Sequence, residues 1–197
     1  MYDKRVGLNR RGFLRTAVQA GVCLGLPQVI PATALGRNGS VAPSDRITLG
    51  AIGIGNRGRY DLGCFLREPD LRCVAVCDVR GDNRKRAKDM VDAQNGDKDC
   101  TPYIDFRELL AREDIDAVLI ATGPNWHATA ATMAAKAGKD VYCEKPCTKN
   151  IAQSLQLRDV FRRTARVFQA GTHGKALRLS MGEYRRLVAP KVLEFTF

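Results

Sequence analysis

Histidine is nearly absent from this 197-residue chain: only His127 and His173 occur. The seven cysteines include no Cys-x-x-Cys pair. The paired-ligand spacing of a structural zinc site is therefore missing, and no metal site is expected. Tryptophan occurs once, at Trp126. No apolar run reaches the roughly 18 residues that a membrane-crossing helix needs. There is no repeat of solenoid period and no low-complexity tract. With 45% hydrophobic and 27% charged residues, the composition excludes a disordered chain or a collagen-like fibre.

The formal net charge of +11 raises the question of a nucleic-acid partner. Residues 1–34 carry five Lys/Arg against one Asp, and residues 158–197 carry nine against three acids. The stretch 35–157 is left at +1. The basic excess belongs to the two ends, so no broad phosphate-binding face and no nucleic acid is expected on the middle of the chain. A binder of anionic surfaces through the basic tail is the weaker alternative, because charge runs are usually solvated faces.

Residues 1–34 read as an address label. A basic stretch ends in Asn9-Arg10-Arg11-Gly12-Phe13-Leu14-Arg15, an apolar run follows from Thr16 to Ile30, and Ala32-Thr33-Ala34 offers a small-x-small cleavage site. That order is the one of an export signal. The paired arginines before Phe13-Leu14 resemble a twin-arginine signal, which implies the twin-arginine export machinery as a partner and an exported, periplasmic location. The competing reading, an amphipathic first helix, fits Gly21, Gly25 and Pro27 less well. Cys23 follows Val22 where a lipid anchor wants a small residue, so no stable membrane anchor is expected. Residues 35–45 form a polar lead-in. A chain that folds before export does so in a reducing compartment, so mostly free thiols are expected.

After residue 45 apolar runs alternate with helical spacing. Strands are expected at Arg46–Ile52, Leu71–Cys77, Thr101–Ile104, Ile115–Ala121, Lys139–Cys143 and Arg166–Ala170. Helices are expected at Arg57–Arg67 with Tyr60, Cys64 and Phe65 inward, and at Arg80–Gln94 with a stop at Asn95-Gly96. Three more fall at Phe106–Arg112 behind an Asp105/Glu108 capping box, at His127–Ala137, and at Ile151–Thr164 with Leu155, Val160 and Phe161 apolar. Cys73 and Cys77 are expected on one strand face as small buried groups. Strands apolar on both faces mark a parallel sheet covered by helices, and right-handed crossovers make it doubly wound. The fold class is α/β.

Gly53-Ile54-Gly55-Asn56-Arg57-Gly58 is a G-x-G-x-x-G between the first strand and the first helix. Gly53 permits the tight turn, Gly55 lets a pyrophosphate approach the backbone, and Gly58 lets the helix pack on the strand. The helix N-terminus offers free N–H groups, with Asn56 and Arg57 beside it. Asp78 ends the second strand, 25 residues beyond Gly53, where an acid accepts hydrogen bonds from an adenosine ribose. A carboxylate there repels a 2′-phosphate and favours NAD over NADP. Arg80, able to pair with that phosphate, weakens the preference.

The carboxyl ends of parallel strands line the ligand crevice. The fourth expected strand leaves through Thr122-Gly123-Pro124-Asn125-Trp126-His127. Thr122 and Gly123 can approach a cofactor, and Trp126 can cover it. His127 is read either as a site residue or as a first-turn helix residue. The fifth leaves through Cys143-Glu144-Lys145-Pro146. Pro146 restricts Lys145 to extended geometry and admits a cis bond. A partly desolvated Lys145 can donate a hydrogen bond to a substrate hydroxyl or take its proton, with Glu144 as charge partner. A surface Lys–Glu pair beside a turn is an equal alternative on chemistry alone.

The glycine loop, Asp78, Ala121–His127, Gly171-Thr172-His173 and above all Ala137-Gly138-Lys139-Asp140-Val141-Tyr142-Cys143-Glu144-Lys145-Pro146 resemble the Gfo/Idh/MocA family (glucose–fructose oxidoreductase and inositol dehydrogenase), from about Arg46 to Thr172. The resemblance implies a Rossmann-like dinucleotide domain over 46–174 holding NAD or NADP, and hydride exchange with a small sugar or polyol. It implies Lys145 at the reacting hydroxyl. It also implies a second α+β domain carrying an Asp/His pair, through which a homo-oligomer pairs. The chain departs here. Residues 175–197 are short and basic, no His follows His173, and no Asp follows Asp159. Truncation or a shifted reading frame is the expectation. A nucleotide-binding module without catalysis is the alternative.

Overall fold

The computed structural model describes residue 42 and residues 45–171. The expected signal with Cys23, most of the lead-in, Thr172, His173 and the basic tail lie outside the described residues. Among the described residues six strands alternate with five helices in the order β1 (Ile47–Ile52), α1 (Asn56–Phe65), β2 (Leu71–Cys77), α2 (Gly81–Asn95), β3 (Thr101–Tyr103) and α3 (Phe106–Leu110). There follow β4 (Ala117–Ile120), α4 (Pro124–Lys136), β5 (Asp140–Cys143), α5 (Ile151–Thr164) and β6 (Phe168–Ala170). Every strand pair is parallel, and the order across the sheet is β3-β2-β1-β4-β5-β6. The order reverses at β1. That is the switch point at which such a sheet opens a crevice outside its carboxyl ends.

Two apolar clusters lie on the two faces. One gathers Ile52, Val118, Ile120, Val141 and Cys143 under Leu109 of α3, Ala130 and Ala134 of α4, and Val160 and Phe161 of α5. The other gathers Leu49, Ala51, Val76 and Leu119 under Leu62 of α1 and Ala87 and Val91 of α2. The sheet is therefore covered on both sides, and the Rossmann-like doubly wound reading holds.

Several local expectations change. Cys73 and Cys77 do not share a face, since Cys73 belongs to the α1/α2 cluster and Cys77 to the other. The register of β1 against β2 shifts between Leu49 and Gly50, which pair with Cys73 and Ala75. The extra residue, Val74, turns the same way as Ala75 and reverses the alternation. In α1 the buried residues are Gly58, Asp61 and Leu62, and Phe65 packs inward as expected, while Cys64 is half-buried and Tyr60 is exposed with its ring under Arg57. In α5 Leu157 is buried and Leu155 is exposed. Helix α4 begins three residues earlier than expected, with Pro124 in its first turn, where a missing N–H costs nothing. Asp105 caps α3 by accepting from Arg107 N–H at 2.9 Å. Gly96 and Gly138 follow α2 and α4 with left-handed backbone.

The Lys139-Asp140 pair proves architectural. Lys139 is buried and donates from Nζ to the Arg112 carbonyl at 2.6 Å. Asp140 accepts from the Val167 N–H at 2.8 Å, which aligns β6. Both fix the start of β5, at the edge of the sheet opposite its exit.

Candidate functional site

Three glycines do three different things at the β1–α1 junction. Gly53 has φ +79°, and a Cβ there would stand 2.5 Å from the Thr122 backbone nitrogen. Its N–H donates to the Cys77 carbonyl at 2.8 Å, so the turn stays bound to β2. A Cβ on Gly58 would collide with the Gly53 carbonyl oxygen, so α1 rests directly on the loop. A Cβ on Gly55 would meet nothing within 4 Å. The backbone is thus open on the outer side of Gly55, where α1 begins with no side-chain cap and no acid in its first turn. Those unpaired N–H groups and the positive end of the helix dipole form a cradle fitted to a diphosphate.

Beside this loop lies a polar net. Arg59 donates to the Ile54 carbonyl and to Asn83 Oδ1, each at 3.0 Å, and to Asn56 Oδ1 at 2.7 Å. Asn83 donates to Asp78 Oδ2 at 3.3 Å, and the Arg80 N–H donates to Asp78 Oδ1 at 2.9 Å. Asp78 is half-buried at the end of β2 and aimed by these contacts. The Arg80 guanidinium is exposed and grips Asp82 through two contacts of 3.1 and 3.2 Å. Arg59 and Asn83 carry no motif and were not singled out from sequence. Only their helical positions flanking the loop could have pointed to them.

The β5 side is built from buried charge. Arg57 bridges Asp61 Oδ1 at 2.9 Å and Glu144 Oε1 at 3.0 Å, and both acids are about 5% exposed. Its charge is thus held by two carboxylates. Glu144 Oε2 also accepts the Lys145 N–H at 3.2 Å, and Oε1 the Tyr142 hydroxyl at 3.4 Å. Burial works to raise the Glu144 pKa, but the Arg57 and Lys145 contacts overcome it and hold the group below the usual range. Asp61 moves the other way: burial and the Glu144 charge push it up to about 6 despite Arg57. A Cβ on Gly171 would stand 2.6 Å from Glu144 Oε1, so the β6 exit closes over this acid. Asp61 was missed from sequence because the inward face of α1 was assigned to Tyr60, Cys64 and Phe65 on their apolar character.

His127, 1% exposed, ties the two remaining exits together. Nδ1 lies 2.8 Å from the Pro146 carbonyl and Nε2 2.8 Å from the Thr122 carbonyl. It acts from beneath the crevice and not on its surface. Gly123 caps α4 without a side chain, and the Thr122 hydroxyl donates to the Gly123 carbonyl at 3.3 Å. Trp126 is 56% exposed and meets Phe106 edge-on at 6.2 Å. The Lys145–Pro146 bond is cis. Lys145 is exposed, so these residues do not supply the desolvation expected of it. Through Arg57 and Glu144 the glycine loop and the Lys145 turn nevertheless stand on one edge of the sheet.

A doubly wound sheet with this loop, an aimed acid after β2 and ligand-side exits from β4 and β5 defines a dinucleotide-binding domain. Residues 47–172 match the Gfo/Idh/MocA family model, an oxidoreductase family with an NAD-binding Rossmann fold, and the chain belongs to that family. It is 33% identical over 175 residues to a glycosyl hydrolase family 109 protein of Saccharopolyspora erythraea, and 31% identical over 172 to one of Shewanella baltica. Each match covers 80% of this chain and 38% of the relative, so the chain spans well under half the length of these curated relatives. Among solved structures it is similar to scyllo-inositol dehydrogenase of Lactobacillus casei (TM-score 0.57, 25% identity, 64% of this chain and 36% of that one) with bound NAD(H) and scyllo-inositol. It is also similar to a 3-ketoreductase of Actinomadura kijaniata in complex with NADP and TDP-benzene (0.57, 28%, 64% and 37%).

Proposed function

We propose that this domain holds NAD, in preference to NADP, across the carboxyl ends of β1, β2, β4 and β5, and serves hydride exchange at a secondary hydroxyl of a sugar or polyol. The observation that carries the reading is the Arg57–Glu144 contact of 3.0 Å, which joins the open glycine loop to the Lys145 turn. The dinucleotide supplies the hydride acceptor. Gly55 and the first N–H groups of α1 bind its diphosphate, Asn56 and Arg59 brace that loop, and Asp78 accepts from the adenosine ribose. The pairing of Arg80 with Asp82 leaves Asp78 as the group facing a 2′ substituent, which supports NAD. Thr122, Gly123, Trp126 and Glu144 line the nicotinamide half, and the Lys145 ammonium donates to the reacting hydroxyl oxygen. The proton is taken by a group of a second domain in the whole protein. The Arg10-Arg11 segment supports export to the periplasm by the twin-arginine route.

Trp126 is the single tryptophan and stands by the crevice, so it reports binding. Titration of the full chain with NADH should quench its emission and sensitise nicotinamide fluorescence. A folded sample that shows neither at millimolar NADH overturns the cofactor reading. The names of the curated relatives favour a second reading, glycoside cleavage through a transient hydride exchange, a route outside the usual two-carboxylate pattern. Net accumulation of reduced nicotinamide with polyols marks the dehydrogenase. Aryl-glycoside cleavage with no net reduction marks the hydrolase. In either case loss of turnover in Lys145→Ala separates catalysis from a module that only binds.

A further inference from the structure

The Lys145 turn is bracketed by two cysteines, Cys143 at the end of β5 and Cys147 just past Pro146. Both thiols are free, and both pack into the cluster under α3, α4 and α5. The turn folds back on itself, so that Cys147 Sγ lies 3.7 Å from the Cys143 carbonyl oxygen while Cys143 Sγ lies 3.5 Å from the carbonyl of Glu144. Cys143 is fully buried and Cys147 is half-buried at the rim. We propose that Cys143 and Cys147 form a dithiol modification site, taking hydrogen peroxide as oxidant and closing into a disulfide that clasps the Glu144-Lys145-Pro146 turn.

The division of labour follows from the surroundings. The two thiols interact directly, and that contact pulls the Cys147 pKa below the usual thiol range while pushing that of Cys143 up. Cys147, half-buried at the rim, is therefore the thiol that meets solvent and ionises more readily, and the buried Cys143 is the resolving group behind it. The Cys147 thiolate attacks one peroxide oxygen, the O–O bond breaks, and hydroxide leaves to become water. This leaves a sulfenic acid on Cys147. Cys143 gives up its proton and attacks the Cys147 sulfur, the S–S bond forms, the S–O bond breaks and a second water leaves. Two thiols and one peroxide become one disulfide and two waters. The inference stands apart from the cofactor reading, since it needs only the turn.

The test is direct. Trypsin does not cut before proline, so both cysteines fall in one peptide, residues 140–149. The full chain is treated with hydrogen peroxide, alkylated and digested. The expected peptide lacks two hydrogen atoms, carries no alkyl group, and regains two alkyl groups after dithiothreitol. Cys64, a half-buried free thiol with Arg67 Nη2 3.4 Å from its sulfur, is the internal control for a thiol outside the pair. In Cys147→Ser the closed peptide disappears, and the unsubstituted chain decides the matter if that variant does not fold. Stable sulfinic acid on Cys147, or a doubly alkylated peptide at peroxide levels that oxidise Cys64, overturns the proposal.

Discussion

Asp78 at the end of β2 and Glu144 at the end of β5 occupy matching places on the carboxyl edge of the sheet, yet they are held in opposite ways. Asp78 is half-buried, and its carboxylate partners lie two and five residues away. Glu144 is buried, and its guanidinium partner is 87 residues away on α1. His127 repeats the second pattern, with carbonyl partners five residues before it and nineteen after. The β2 side holds its acid through near neighbours in wet, partly exposed contacts, and Arg59 of α1 reaches it through Asn83. The β5 side is a dry network in which removing one member strands another. The first arrangement sets which ligand fits, and the second sets whether the crevice exists.

The largest effect should fall where the two sides meet. Gly53→Ala puts a methyl against the Thr122 backbone at a position of positive φ. It should cost about 3 kcal/mol or more in urea unfolding. Gly55→Ala faces open space and should change stability by less than about 0.5 kcal/mol. The same methyl should abolish NADH binding by standing where the diphosphate approaches. Equal destabilisation by the two substitutions would break the distinction between a packed and an open glycine.

Within the dry side, Glu144→Gln leaves Arg57 with one carboxylate, and His127→Gln cannot reproduce two contacts of 2.8 Å from a planar ring. Each should cost about 2 kcal/mol. Thermal or urea unfolding of both variants, and of the double variant, measures whether the two clamps on the Lys145 turn act independently. Loss of less than about 0.5 kcal/mol from either would remove its role as a clamp.

These long-range contacts are also what the sequence hides. Strands were legible because apolar, β-branched runs such as Val118–Ile120 are buried on both faces, and the glycine loop because each glycine answers a separate steric demand. The faces of single residues were less so. One inserted residue at Val74 turned Cys73 and Cys77 apart, and the apolar look of Tyr60 concealed that α1 spends its inward face on Asp61. Asp61 has no reason to be inside until Arg57 and Glu144 are brought together by a parallel sheet that skips from β1 to β4 to β5. Periodicity ranks residues by hydropathy and cannot see such a pair. The strand exit and the family resemblance both reached Glu144 and Lys145, and the glycine loop reached Arg57, but nothing in the sequence joined Arg57 to Glu144.

Asp61 gives the dry side a pH signature. Its pKa rises from the ordinary 3.8 to about 6 on folding. The folded state thus prefers the protonated acid. The stabilisation is fully present below pH about 4, is lost as pH rises through about 6, and amounts to about 3 kcal/mol across that window. Asp61→Asn imitates the protonated form and should lack the loss. The stability of the variant relative to the parent should climb between pH 4 and 6 and level off above. Acids outside the Arg57–Asp61–Glu144 cluster titrate alike in both proteins and cancel, whereas Glu144 is coupled to Asp61 and belongs to the same signature. A difference that stays flat with pH would show that Asp61 ionises in the fold as easily as out of it.

Among the side chains that hold the two acids, the smallest effect on stability belongs to the wet side and tests its part in selectivity. Asp78→Ala removes a carboxylate whose two donors, the Arg80 N–H and the Asn83 amide, can turn to water. Unfolding should shift by under about 1 kcal/mol. Ligand choice should move further. Charge-assisted bonds to the ribose are lost, so NADH should bind about tenfold more weakly. The repulsion that disfavours a 2′-phosphate goes with them, so NADPH should bind no worse or better. The ratio of the two affinities isolates this term from any general loosening of the loop, which would weaken both ligands alike. A proportionate fall for NADH and NADPH would move the origin of selectivity away from Asp78 and towards Arg80, whose guanidinium would then have to leave Asp82 to meet the phosphate.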